Sequence, residues 1–158
     1  MTVKFARMKA AELLSIVLNA LVMGVFWGPW IGLTRSLATF EPAAFLAIGH
    51  RLNLNLAPLM TVLMPAALLS TAPTLVLSYG NQPTTFAATL AGAALFAVAL
   101  TVTVAVEVPI AVRIKSWSTT TLPADWRRHR DRWAAVHVIR VVAGVLGLAL
   151  LVAGALYG

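Results

Sequence analysis

Three ionisable residues, Glu107, His137 and Arg140, lie in stretches of sequence otherwise apolar enough to cross a bilayer. Charge is costly in hydrocarbon, so such residues pair with one another and mark places where protons move or ligands bind. A carboxylate and an imidazole are the working groups of acid–base catalysis, and a guanidinium steadies a developing anion. The competing reading is structural: Glu107 and Arg140 form an ion pair that pins two helices, with His137 hydrogen-bonded beside them. Trp133, His137, Arg140 and Gly144 follow i, i+4, i+7, i+11 spacing and so project from one helix face.

The elements that must position these groups follow from composition. The chain has 158 residues, 60% of them hydrophobic and 11% charged, and a mean hydropathy of +0.88. Soluble domains are about half apolar and a quarter charged. Four continuous apolar runs, at about residues 10–33, 54–77, 85–112 and 134–157, each reach the about 20 residues that a membrane-spanning helix needs. The runs do not alternate as barrel strands would. The expected fold is all-α: one membrane domain over residues 1–158, built as a four-helix bundle. The basic start, MTVKFARMKAAELL, resembles the head of a signal peptide. Its apolar stretch continues past Phe26 without an A-x-A cleavage site, which predicts a retained helix.

The connections differ in character. Thr39-Phe-Glu-Pro-Ala-Ala-Phe-Leu, between the first two spans, reads as the start of a short interfacial helix. SYGNQPT, from Ser78, is a short uncharged turn. Arg113 to Trp133 is the most basic loop, with Trp117, Trp126 and Trp133 as interfacial anchors. Pro58, Pro65 and Pro73 predict kinks in the second span. With four spans, both termini share one side of the membrane. That side carries Lys4, Arg7 and Lys9, whereas the other carries Arg35, Arg51 and the six Lys and Arg residues of the last loop. The excess of Lys and Arg predicts that loops 34–53 and 113–133 are cytoplasmic, in a plasma-membrane protein.

The net charge of +7 is therefore read as contact with lipid headgroups and not as a nucleic-acid surface, since no basic stretch is interleaved with exposed aromatics on a soluble scaffold. Absence of cysteine removes disulfides, thiol catalysis, Cys-ligated zinc and iron–sulfur clusters. His50 and Asn53 open the second span at the depth of the polar trio, and Trp27 and Trp30 close the first there. A pocket at the loop end is expected, with Glu107, His137 and Arg140 as catalytic groups and Trp27, Trp30, His50, Asn53, Trp117 and Trp133 as its ligand-binding wall. Membrane lipid and a hydrophobic small molecule are the expected partners, and a homo-oligomer stays open.

Two histidines and a carboxylate are also the inventory of an iron triad formed by His50, His137 and Glu107, and the two histidines that of bis-histidine haem. Neither has local ligand spacing such as HxxxH or ExxH. No cofactor is the first expectation, with iron or haem as the alternative. A proton relay is a further reading. The opposite end of the bundle offers it only Glu12 and Asn19 on the first span, with the third and fourth apolar there.

The run VEVPIAVRIKSW, followed by TLPADWRRHRDRWAAVHVIR, resembles the anthrone-oxygenase-like family of small four-helix membrane proteins, also described as the DUF1772 domain. GVFWGPWIGLTRSL and FLAIGH extend the likeness over essentially the whole chain. Its most specific part is Pro109, Trp117, Trp126, Arg130, Arg132, Trp133, His137 and Arg140. The resemblance implies a four-helix fold and, from some relatives, oxidation of polycyclic anthrones to anthraquinones without an added cofactor. Many relatives carry Asn where Glu107 stands, and a polar residue where this chain has Ala111 or Val112. On that reading His137, held by Glu107, is the base that removes the anthrone proton, Arg140 steadies the enolate, and the anion reacts with oxygen. The alternative from a different class is a non-catalytic binder of a hydrophobic ligand, or an accessory subunit.

Overall fold

A computed structural model describes residues 3–158, and every regular element among them is helical. α1 (Val3–Gly32) leads through a 3-10 turn (Thr34–Thr39) into α2 (Pro42–Leu69) and α3 (Ala72–Ser78). α4 (Pro83–Val102) passes through a π-helical turn (Thr103–Glu107) into α5 (Val108–Lys115), and α6 (Trp126–Tyr157) follows. These join into four spans, Val3–Thr39, Pro42–Ser78, Pro83–Lys115 and Trp126–Tyr157, each long and apolar enough to cross a membrane.

The distribution of polarity is inverted relative to a soluble protein. Leu13, Leu14, Val62, Val98, Val142 and Leu146 are exposed, whereas Glu12, Ser15, Asn19, Thr74, Thr85 and Glu107 are buried. Hydrocarbon is an acceptable solvent for the first set and a costly one for the second. This is an integral membrane protein.

The buried residues recur with alternating steps of four and three. α1 buries Met8, Glu12, Ser15, Asn19, Val22 and Phe26; α4 buries Thr85, Thr89, Gly92, Phe96 and Ala99; α6 buries Trp126, Arg130, His137, Arg140, Gly144, Gly147, Leu151 and Gly154. A 3.5-residue repeat is the seam of helices packed at a shallow left-handed crossing. Small residues bring the seams together: a Cβ added to Gly92 would lie 2.9 Å from the Gly147 carbonyl oxygen, so α4 and α6 touch through backbone. His137 and Arg140 occupy seam positions, and the packing that builds the bundle also aims them inward.

Two hydrophobic clusters result. One fills the middle, with Val22, Met23, Phe26, Met64, Phe96 and Val141. The other closes the loop end, with Leu37, Phe45, Leu46, Ile110, Ile114 and Trp126. Along its length α2 meets α1. The second span touches the third through α3 and α4 at one end and through α2 and α5 at the other, and little joins α2 to α4 between.

The structure differs from expectation at three junctions. No separate interfacial helix forms between the first two spans. Glu41 is extended, Pro42 occupies the first turn, and the helix begun there continues without a break to Leu69, carrying His50 and Asn53 within it. The second span breaks beyond Leu69 instead: Pro73 has no N–H for the Leu69 carbonyl, and the hydroxyls of Ser70 and Thr71 bond the Ala67 and Leu68 carbonyls at 2.6 and 2.7 Å. Most of the expected basic loop is helix, since α5 runs to Lys115 and α6 starts at Trp126. Trp126 is consequently no interfacial anchor. It is buried, its ring 5.3 Å from that of Phe45.

Candidate functional site

Glu107, His137 and Arg140 meet. The Arg140 guanidinium pairs through Nη1 with Glu107 Oε2, and His137 Nδ1 lies 3.3 Å from Glu107 Oε1. All three are buried. Glu107 is the last residue of the π-helical turn, in which the Val108 N–H donates to the Thr103 carbonyl. Pro109 follows directly and cannot supply the N–H that would tie down the Ala105 carbonyl. The helical ladder loosens there, a common feature of functional sites.

His137 is held from both sides. Its Nε2–H donates to the Phe26 carbonyl oxygen at 3.0 Å, and the Trp133 ring stacks on it with centroids 5.1 Å apart and planes at 16°. A carbonyl only accepts, so Nε2 carries a hydrogen and the Nδ1–Oε1 contact needs one further proton between its two atoms. That proton sits either on the ring, making imidazolium, or on the carboxyl group. No ring nitrogen is left over to face a ligand. Arg140 also rests over the Phe26 ring at 4.1 Å, a favourable cation–π distance, and its buried Nε–H has no hydrogen-bond partner.

These groups border a cavity of about 330 Å³, within the about 300–1,000 Å³ typical of small-molecule sites. All four spans line it. The first span gives Val25, Pro29 and Leu33, α2 gives residues from Phe45 to Pro65, the third span gives Thr103, Val104, Glu107 and Ala111, and α6 gives Trp133, His137 and Arg140. The lining is apolar apart from a few convergent groups, as in ligand sites generally.

Of the residues expected at the site, Glu107, His137, Arg140, Asn53 and Trp133 border this cavity. Trp27, Trp30, His50 and Trp117 do not. On α1 the lining positions are Val25 and Pro29, and two residues round the helix from Val25 turns Trp27 outward, where it is 43% exposed and rests 5.2 Å from Trp30. His50 is one step on from the lining Gly49 and turns to α5, donating from Nε2 to the Ile114 carbonyl at 3.0 Å. Asn53 donates to the Ala111 carbonyl at 3.4 Å, so both side chains tie α2 to α5. Trp117 packs on the loop-end cluster, with its ring 5.5 Å from that of His129.

Among the described residues no three His, Asp or Glu side chains gather as a metal site. The triad of His50, His137 and Glu107 is not assembled, because His50 is not among the cavity-lining residues and its Nε2 is taken by the Ile114 carbonyl. The Nε2 atoms of both histidines are engaged by backbone carbonyls, which also disfavours bis-histidine ligation.

Phe26 is the site residue that sequence reasoning missed. It is fully buried, and it supplies the carbonyl for His137 and the ring beneath Arg140. Its signal was the 4-3 spacing from Glu12 through Asn19. Arg130, buried among basic neighbours, was likewise missed as a fixed residue. It pairs with Asp131 at 2.8 Å and lies 5.3 Å from the Trp126 ring.

The opposite half of the bundle is more polar than expected. Asn19 donates to the Ser15 and Ala67 carbonyls at 2.8 and 3.0 Å, and Lys9 bonds the Ala155 carbonyl at 3.0 Å while pairing with buried Glu12 at 2.9 Å. Thr85 and Thr89 on the third span are buried there, so that span is not uniformly apolar. Buried Val22, Met23 and Phe26 stand between this row and the trio, and that apolar layer interrupts any polar path.

Fold and site together define a four-helix integral membrane protein with a buried acid–base pair and an arginine on the wall of an apolar cavity. Residues 55–150 match the family model described as anthrone oxygenase, and the chain belongs to that family. The matched span contains Glu107, His137 and Arg140. No curated protein matches the chain, nor does any solved structure.

Proposed function

We propose that the protein is a membrane-embedded oxygenase acting on a polycyclic aromatic ketone of the anthrone type. The observation that carries this reading is an apolar cavity whose wall holds Arg140 beside a proton-holding pair. A substrate carbonyl oxygen set against the Arg140 guanidinium is favoured by its charge, and the attraction grows as the oxygen becomes an enolate when the methylene carbon across the central ring loses its proton.

Glu107 is the acceptor of that proton, with His137 as its store. This departs from the expectation that His137 itself abstracts it, because both ring nitrogens are engaged. The enolate then gives electrons to dioxygen and a C–O bond forms. Loss of water from the resulting hydroperoxide leaves a second carbonyl. One dioxygen is consumed, with one oxygen atom entering the quinone and one leaving as water.

The test is purified protein in phospholipid vesicles with a panel of anthrones in air-saturated buffer. Quinone formation above the protein-free rate, matched by equal oxygen uptake and abolished in a folded His137→Ala variant, is expected. No acceleration with any anthrone would sink the enzymatic reading. The engaged nitrogens of His137 also favour a second reading, in which the cavity binds a hydrophobic ligand without reaction; binding of anthrones with no turnover would select it. The loop end, with eight Lys and Arg against three on the terminal side, is the cytoplasmic one in a plasma membrane on our reading. A reporter fused after Gly158 and active in the cytoplasm would reverse that orientation.

A further inference from the structure

The cavity has a side opening, and its position determines where a ligand comes from. Ala57 and Thr61 on α2 and Val104 and Val108 on the third span line the cavity, yet each is also an exposed residue, Val104 by 60% and Val108 by 47%. A residue that does both forms the rim of a mouth. The gap falls where little joins α2 to α4, between the contacts that α3 and α5 make at either end.

Its depth follows from helix rise. Thr61 is ten residues beyond Arg51 and Val104 nine before Arg113, so the two lips lie about 14–15 Å from the basic ends. A hydrocarbon core is about 30 Å thick, which puts the mouth near its middle. Both ends of the cavity are closed. Phe45, Ile110, Ile114 and Trp126 fill the loop end, and Val22, Met23 and Phe26 fill the other side.

We infer that ligand and product exchange with the bilayer interior through this lateral mouth between Thr61 and Val104, so that the protein selects uncharged, membrane-dissolved molecules before any contact with Arg140. Val104 and Val108 flank Glu107 on the same turn of chain, and a flat ring system sliding in past them arrives beside the carboxylate. The inference rests on the cavity being the ligand site, as proposed above.

The test uses 9,10-anthraquinone as a stable probe in phosphatidylcholine vesicles holding the protein, with quenching of tryptophan emission followed by stopped flow; Trp133 borders the cavity. Val104→Phe and Thr61→Phe each narrow the mouth without adding a tryptophan to the emission. Association and dissociation are both expected to slow, each by about tenfold, because a doorway acts on passage in both directions. Val142→Phe, on the exposed face of α6, should leave the rates unchanged and controls for a bulky ring in lipid. If one lip variant does not fold, the other gives the same readout. Anthraquinone-2-sulfonate, whose charge bars it from the hydrocarbon, should not quench. Wild-type rates in both lip variants, or sulfonate quenching as fast as that of the neutral quinone, would overturn lateral entry while leaving the ligand site intact. No quenching by the neutral quinone in the wild type would defeat the ligand site itself and the doorway with it.

Discussion

The Nε2–H of His137 donates to the Phe26 carbonyl at 3.0 Å, and that bond sets the chemistry of the pair behind it. With Nε2 committed as donor, Nδ1 turns to Glu107 and the two residues share one proton. Arg140 holds the other carboxylate oxygen, so Glu107 bridges the imidazole and the guanidinium. A buried ion pair, usually a structural device, thereby becomes linked to a group able to store and return a proton.

Replacing His137 by Gln keeps a donor for Phe26 and removes the second proton site. Turnover of an anthrone is expected to fall by about a hundredfold or more, while binding of anthraquinone holds. If binding and turnover are lost in step, His137 is a packing residue.

Glu107→Gln and Arg140→Gln each strand a buried partner, and each should destabilise the fold by about 3–5 kcal/mol. The double variant buries no unpaired charge, so its loss should be clearly less than the sum of the two. Denaturant unfolding in detergent measures this cycle. Simple additivity would mean that the pair does not interact in the folded protein.

Gly92→Ala drives a methyl group into the Gly147 carbonyl oxygen, 2.9 Å away. The backbone there cannot yield as a side chain would, so α4 and α6 must separate, at a cost of about 1–3 kcal/mol. Gly24→Ala meets nothing within 4 Å and should be neutral or mildly stabilising. Thermal unfolding of the two variants side by side decides the matter; equal melting temperatures would refute the close contact.

The buried hydroxyl of Thr74 has no hydrogen-bond partner. Thr74→Val keeps the shape and removes the unpaired group, and is expected to raise stability by up to about 1–3 kcal/mol. A loss of stability would show that the hydroxyl is paired in the membrane.

Hydropathy by itself determined the four spans and the all-helical class. A bilayer demands long apolar runs with internally satisfied backbones, and that demand is local in sequence. The shared depth of Glu107, His137 and Arg140 was legible too, because both of their helices meet the same basic connection. Spacing placed Trp133, His137 and Arg140 on one face of α6, and the structure keeps them there.

What lay opposite that face was decided only by the tertiary structure. A helix turns about 100° per residue, so whether His50 or Gly49 looks into the cavity depends on which neighbour α2 packs against, and no local pattern states it. The same holds for Trp27 against Val25, and for Phe26, whose part in the site runs through a backbone carbonyl that every residue possesses. The seams were present in the sequence as small and polar residues at 3.5-residue spacing, but in a chain this apolar they do not stand out by hydrophobicity. In lipid it is close approach and polar pairing, not the burial of oil, that draws helices together, and those become visible only once the helices are in contact.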